Sequence, residues 1–168
     1  ILDKPLDKNK VKFFTLFIIL PAILIIIDQL TKIFVSKTMS VGEEITVIPG
    51  LFNITYVINK GAALGIFENM TYFLVIVSLF MILFLYALAY HDFKIKHTIL
   101  PEMTIVGGAI GNLIDRMFIN GQVRDFLEVP FFAVMNFADW FVRIGIFFMV
   151  VKYIYYYKKS EKIEGTDE

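Results

Sequence analysis

The sequence predicts an all-α membrane protein, four transmembrane helices carrying a small β-sheet on one side, and three observations lead there. Of its 168 residues 58% are hydrophobic and 19% charged, with a mean hydropathy of +0.71, a value seldom reached by a soluble domain of this size. Four stretches read as spans. Basic residues gather on one side of them. A single domain over residues 1–168 is expected, its core made of helices packed on one another in lipid. Zero net charge suggests no nucleic-acid partner, and the absence of cysteine excludes disulfides, a thiolate nucleophile and thiolate-bound metals.

Phe13 to about Val35 is the first span, with Asp28 and Lys32 in its last two turns. Its apolar start, Phe13–Ile27, has the look of a secretory signal core, but no small-residue cleavage site follows, so it is read as a helix that stays. The next segment, EEITVIPGLFNITYVI, is β-prone and broken by Pro49-Gly50, which predicts strands near Glu44–Ile48 and Leu51–Ile58. Asn69–Tyr90 is a charge-free run of 22 residues. At about 1.5 Å per residue it crosses a hydrocarbon core of roughly 30 Å. Thr98 to about Phe118 is the third span, with Glu102 near one end and Asp115 and Arg116 near the other. VRDFLEV and FFAVM, either side of Pro130, are β-prone and able to extend the sheet. Asn136 to Tyr157 is the weakest span because Arg143 and Lys152 interrupt it, and KKSEKIEGTDE, about 158–168, reads as a disordered tail.

Ten basic residues (Lys4, Lys8, Lys10, Lys12, Lys94, Lys96, Lys152, Lys158, Lys159 and Lys162) fall before span one, between spans two and three, or at the end of the chain. The positive-inside rule therefore places both termini in the cytoplasm, with Tyr153, Tyr155, Tyr156 and Tyr157 as an aromatic belt. The polar strings DQLTK (28–32), NKGAALG (59–65), GNLIDR (111–116), RDF (124–126) and NFAD (136–139) then share the outer leaflet. Intramembrane carboxylates cost roughly 2.5–3.5 kcal/mol each on insertion scales, so their gathering asks for a functional reason.

Asp125 and Asp139 are the candidates for chemistry. Two carboxylates close together in a partly desolvated site share one proton, so that one takes a proton from water while the other donates to a carbonyl oxygen. Spacing alone leaves open a solvated loop Asp125 and an Asp139 stabilised by a helix dipole. Asn112, Asp115 and Arg116, at i, i+3 and i+4, share a helix face, and Arg116 is expected to keep Asp115 ionised. Arg116 suits a substrate carbonyl or a lipid phosphate, or else anchors the helix end in an ion pair. Asp28 with Lys32 reads as a structural tie, and Gly107 with Gly111 as a small-residue stripe for close helix approach. Asn59 orients substrate, while Gly61 supplies either an unusual backbone angle or a plain turn. Arg143, one turn beyond Asp139, pairs with it or snorkels to headgroups, the second being preferred. His91 and His97 read as solvated loop residues, and no metal site is expected. A serine–lysine peptidase using Ser36, Lys37 or Ser40, a proton-relay transporter and a scaffold protein are rival readings; the transporter is disfavoured because the charges sit at one leaflet.

Together DQLTK, NKGAALG, GNLIDR, the Asp-Phe of RDF, and NFAD resemble, in order and spacing, the motif set of lipoprotein signal peptidase, the bacterial signal peptidase II family, from about Asp28 to Gly145. The resemblance implies an extracytoplasmic β-cradle on four transmembrane helices of the bacterial cytoplasmic (inner) membrane. It implies an aspartic endopeptidase that cleaves prolipoproteins before a diacylglyceryl-modified cysteine, working as a monomer in membrane lipid with no cofactor and no metal. By motif match Asp125 and Asp139 are the catalytic dyad. Asn59, Asn112, Arg116 and Asn136 are its positioning residues, and Asp28, Lys32, Asp115, Gly61 and Gly111 give support. Arg124 and Trp140 depart from the family pattern, which usually has an apolar and a small residue there.

Overall fold

The computed structural model describes residues 8–61 and 70–164. Ala62–Gly65 of the NKGAALG string, Asn69 at the start of the second expected span, and residues 165–168 of the tail lie outside them. The first helix is continuous but changes pitch. Helix α1 (Lys8–Phe14) passes into a π-helical turn (Thr15–Ile19) and then α2 (Leu20–Thr38). Pro21 explains the change, since it has no N–H for the Phe17 carbonyl and its ring crowds the turn before it. The Leu20 N–H reaches Thr15 O, five residues back.

Strands β1 (Glu44–Ile48) and β2 (Phe52–Asn59) follow, close to the expected positions. Helices α3 (Thr71–Lys94) and α4 (Leu100–Phe118), strand β3 (Val123–Glu128) and helix α5 (Phe137–Glu164) complete the order. The sheet is antiparallel in the order β1-β2-β3, so the segment between α4 and α5 supplies one strand, while FFAVM contributes only an isolated bridge between Met135 and Leu127.

The protein is thus mostly helical with a small antiparallel sheet. The helices of residues 11–38 and 71–94 are long and apolar enough to cross a membrane. In α4 three glycines with Glu102, Asp115 and Arg116 dilute the hydropathy, and in α5 Arg143 and Lys152 do the same. Helix α4 is the hub, packed against α2, α3 and α5. Its glycines make this possible: a methyl group on Gly107 would sit 2.9 Å from Leu24 Cβ, and one on Gly111 2.6 Å from Asp28 Oδ2. Ile82, Leu85, Ala89, Met103, Val106 and Leu113 form the core between α3 and α4, while Val35, Tyr56, Phe126 and Leu127 form a second core under the sheet. The outer faces are apolar. Phe34 (67% exposed), Phe80 (70%) and Leu83 (68%) point away from the protein, the reverse of a water-soluble surface.

One expectation is corrected here. Residues 158–164, read as disordered from composition, continue α5. Lys and Glu are good helix formers, and a preformed helix propagates more easily than a new one nucleates.

Candidate active site

NFAD opens α5, and its two polar ends cap each other. Asn136 Oδ1 accepts the Asp139 N–H at 3.0 Å while Asp139 Oδ2 accepts the Asn136 N–H at 3.2 Å, a reciprocal capping box. Asp28, from the middle of α2, takes the Ala138 N–H at 2.9 Å. Three of the orphan groups of the helix start are thereby satisfied. Asp139 is held in one orientation, and its other oxygen, Oδ1, accepts from Asn112 Nδ2 at 2.7 Å.

Asp125 arrives from the sheet. It lies opposite Val57 on β2, and Asn59 lies opposite Val123, so Asn59 is the diagonal neighbour of Asp125 on the same face. A register irregularity between Ile54 and Val57 precedes this pair, the kind of bulge that re-aims side chains near a site. Asn59 Nδ2 donates to Asp125 Oδ2 at 2.9 Å, and Asn136 Nδ2 donates to Oδ1 at 2.6 Å. Asp125 is only 1% exposed. Burial, and then the neighbouring Asp139 carboxylate, push its pKa up to about 7, with the two asparagine amides pulling the other way.

Asn136 therefore touches both carboxylates. Asn112 completes the bridge: its Oδ1 accepts from Lys32 Nζ at 2.9 Å and from Asn136 Nδ2 at 3.0 Å, which turns its NH₂ towards Asp139. Arg116 Nη2 donates to Gly61 O at 3.2 Å, and among the described residues its buried Nε has no hydrogen-bond partner. Gly61 acts through its backbone, since its N–H donates to Asn59 Oδ1 at 2.9 Å. Asn59, Asn112, Arg116, Asp125 and Asp139 line a cleft of about 260 Å³ whose apolar wall is Val123, Val134, Met135 and Val142. All four expected positioning residues thus surround or hold the two carboxylates.

The supporting charges lie beneath this layer. Asp28 and Lys32 pair at 2.8 Å with both side chains fully buried, as their spacing predicts. Asp115 corrects an expectation. Its partner is not Arg116 but Arg124, whose backbone N–H, Nε and Nη2 all reach it, at 3.0, 3.1 and 2.7 Å. Neighbours in a helix sequence point about 100° apart, so Asp115 faces α2 and β3 while Arg116 faces the cleft. The departure from an apolar residue at position 124 is a clamp between β3 and α4.

Gln29 was not singled out from the sequence. Its Nε2 lies within hydrogen-bond distance of Asp28, the Gly111 carbonyl and Asp115, and its Oε1 accepts from Arg124 at 3.2 Å. Its only sequence signal is its place inside DQLTK. Arg143 lies over the Phe132 ring at 5.8 Å, and among the described residues no ion pair joins it to Asp139. At the opposite end of the bundle Lys152 pairs with both Asp92 and Glu102, a cluster no motif announces. His97 is not simply solvated, since its ring stacks on Tyr156 with centroids 3.5 Å apart.

A helical bundle of this apolarity with a polar cleft under a three-stranded sheet defines a class, that of integral membrane enzymes. A solved bacterial membrane enzyme, determined by the in meso method at 2.3 Å resolution, shares the fold with a TM-score of 0.73 and 30% identity over 82% of this chain and 87% of that one. A second such structure gives a TM-score of 0.68 over 80% and 90%. The family model for signal peptidase (SPase) II matches residues 20–155, and this chain belongs to that family. The lipoprotein signal peptidase of Fusobacterium nucleatum is 38% identical over 86% of this chain and 90% of its own length, and that of Trichormus variabilis 43% over 78% and 84%. The protein is a membrane peptidase, and signal peptide removal in lipoprotein maturation is the work of its family.

Proposed function

We propose that this chain is an aspartic endopeptidase that removes signal peptides from prolipoproteins by cleaving before the diacylglyceryl-modified cysteine. The observation that carries the reading is the convergence, on one cleft, of two carboxylates from different elements, with Asp125 protonated far above the ordinary range and Asp139 held by Asn112 and Asn136. In this reading the pair shares one proton at neutral pH. The ionised member takes a proton from water, which attacks the scissile carbonyl, and the protonated member donates to the carbonyl oxygen. A tetrahedral diol forms between them. As it collapses the peptide nitrogen takes back a proton and leaves, and no covalent enzyme intermediate arises. Asn59, Asn112 and Asn136 fix the carboxylates, and Arg116, which lines the same cleft, orients a substrate carbonyl.

All four long helices span the bacterial inner membrane in this account, with both termini cytoplasmic and the dyad near the outer face. The chain acts as a monomer without metal or cofactor. The signal helix of the substrate lies along the spans while its acyl chains stay in lipid. A direct test supplies the purified full chain, in phospholipid vesicles, with a prolipoprotein that carries or lacks the diacylglyceryl group. Mass spectrometry should find the modified substrate cut immediately before its cysteine and the unmodified one left whole. Cleavage elsewhere, or equal cleavage of both, would contradict the assigned specificity.

A further inference from the structure

A second cavity lies apart from the one that holds the dyad. It has a volume of about 570 Å³ and is lined by Lys12, Lys94, Lys96 and His97 together with Phe13, Leu16, Phe93 and Ile99. Lys12 precedes Asp28 by sixteen residues of one continuous helix, roughly 24 Å, so the cavity lies at the end of the bundle away from the active site. Its walls are divided by chemistry. The floor is apolar, with the rings of Phe13 and Phe93 centred 4.1 Å apart and Ile99 almost completely buried.

The rim is cationic. Among the described residues none of the three lysines has a carboxylate within 4.0 Å, although Asp92 lies close by in sequence. Asp92 instead pairs with Lys152 through Oδ2 and lies 3.4 Å from His91 Nδ1 through Oδ1. Lys94 rests 4.4 Å over the Tyr90 ring, and Lys96 is held at φ +60, a left-handed conformation at the tight α3–α4 turn. Three ammonium groups above an aromatic and aliphatic floor match one kind of occupant, a phosphodiester with acyl chains attached. A bare phosphate leaves the floor unfilled, and an uncharged lipid leaves the rim unpaired.

We propose that this cavity binds an anionic phospholipid, its phosphate held by Lys12, Lys94 and Lys96 and the start of its acyl chains lying on Phe13, Leu16, Phe93 and Ile99. The inference rests on the reading that this end of the bundle meets a membrane face, and it is independent of the peptidase chemistry. The site would hold a lipid of the leaflet opposite the substrate and so fix the depth of the helices that carry the dyad.

The test reconstitutes the full chain in phosphatidylcholine vesicles containing a trace of spin-labelled phosphatidylglycerol and reads the protein-bound fraction by electron paramagnetic resonance. Wild-type protein should prefer the labelled phosphatidylglycerol over labelled phosphatidylcholine. Lys94→Gln with Lys96→Gln should lose that preference by roughly five-fold for each lysine. Lys158→Gln with Lys159→Gln removes as much charge from the same end but not from the cavity, and should leave it unchanged. Equal losses in the two double variants, or no preference in the wild type, would overturn the proposal. So would displacement of the bound lipid by inorganic phosphate but not by chloride at matched ionic strength, which would assign the rim to a free anion. Prolipoprotein processing measured in the same vesicles reports on the dyad separately, so a failure of one assignment does not masquerade as a failure of the other.

Discussion

Asp125 and Asp139 differ in their surroundings more than in their identity. Asp139 belongs to a capping box at a helix start, whereas Asp125 is buried on a strand with its pKa raised to about 7. Catalysis by the shared proton then predicts that kcat/KM falls as pH rises through about 7, where the pair loses its last proton. Stability carries the same signature with a defined sign. A carboxyl whose folded pKa is raised holds a proton that the unfolded chain has released, so its burial costs stability fully above about 7, and the cost fades as pH falls towards the unfolded value. Thermal unfolding of wild type against Asp125→Asn, from pH 8 down to 5, should therefore move in favour of the wild type. Arg143→Met should leave the alkaline limb of the pH–rate profile in place, because Arg143 lies against Phe132; an upward shift of that limb would show that it pairs with Asp139. At this scale the sequence made the site residues legible as polar strings, yet it misassigned the partner of Asp115. Charge pairs across a turn, such as Asp115 with Arg124, leave no periodic signal.

Between α2, α4, β3 and α5 the structure depends on charges with no access to water. Asp28 holds Lys32 and caps α5 at once. Asp28→Ala leaves buried Lys32 only the more distant Asp115, at 3.7 Å, and also uncaps the Ala138 N–H, so it should destabilise the protein by about 3 kcal/mol. Arg124→Met removes the clamp on Asp115 while Lys32 stays nearby, at 3.7 Å, and should cost less than Asp28→Ala. Both are read by thermal unfolding in detergent, and a loss below about 1 kcal/mol for Asp28→Ala would show the network to be dispensable. Gly111→Ala should cost activity more than its size suggests, since its methyl would press on Asp28 Oδ2. Helix and strand positions were readable because each rests on local rules: hydropathy for the helices, Pro49-Gly50 for the hairpin, NFAD for the α5 start. The π-turn before Pro21 and the helical course of residues 158–164 were not, as both depend on how an existing helix continues.

Across the whole molecule one end carries the polar cleft with the two carboxylates, and the other is basic. A chain without cysteine suits a direct check of orientation: on intact cells a membrane-impermeant maleimide should label Ser40→Cys and not Lys96→Cys. The reverse pattern would invert the proposed topology. Charge counting gave the orientation its basis, but the Lys152, Asp92 and Glu102 cluster and the basic cavity beside Phe93 come from residues far apart in the chain, and only folding unites them. The central claim is that two carboxylates, brought together from β3 and α5, perform the hydrolysis. It is tested by prolipoprotein processing, followed by gel mobility shift, in Asp125→Asn and Asp139→Asn proteins that unfold cooperatively like the wild type. Each should lose at least about 10²-fold in rate, the contribution expected of a positioned acid or base. Processing at near wild-type rate by either one would contradict the dyad.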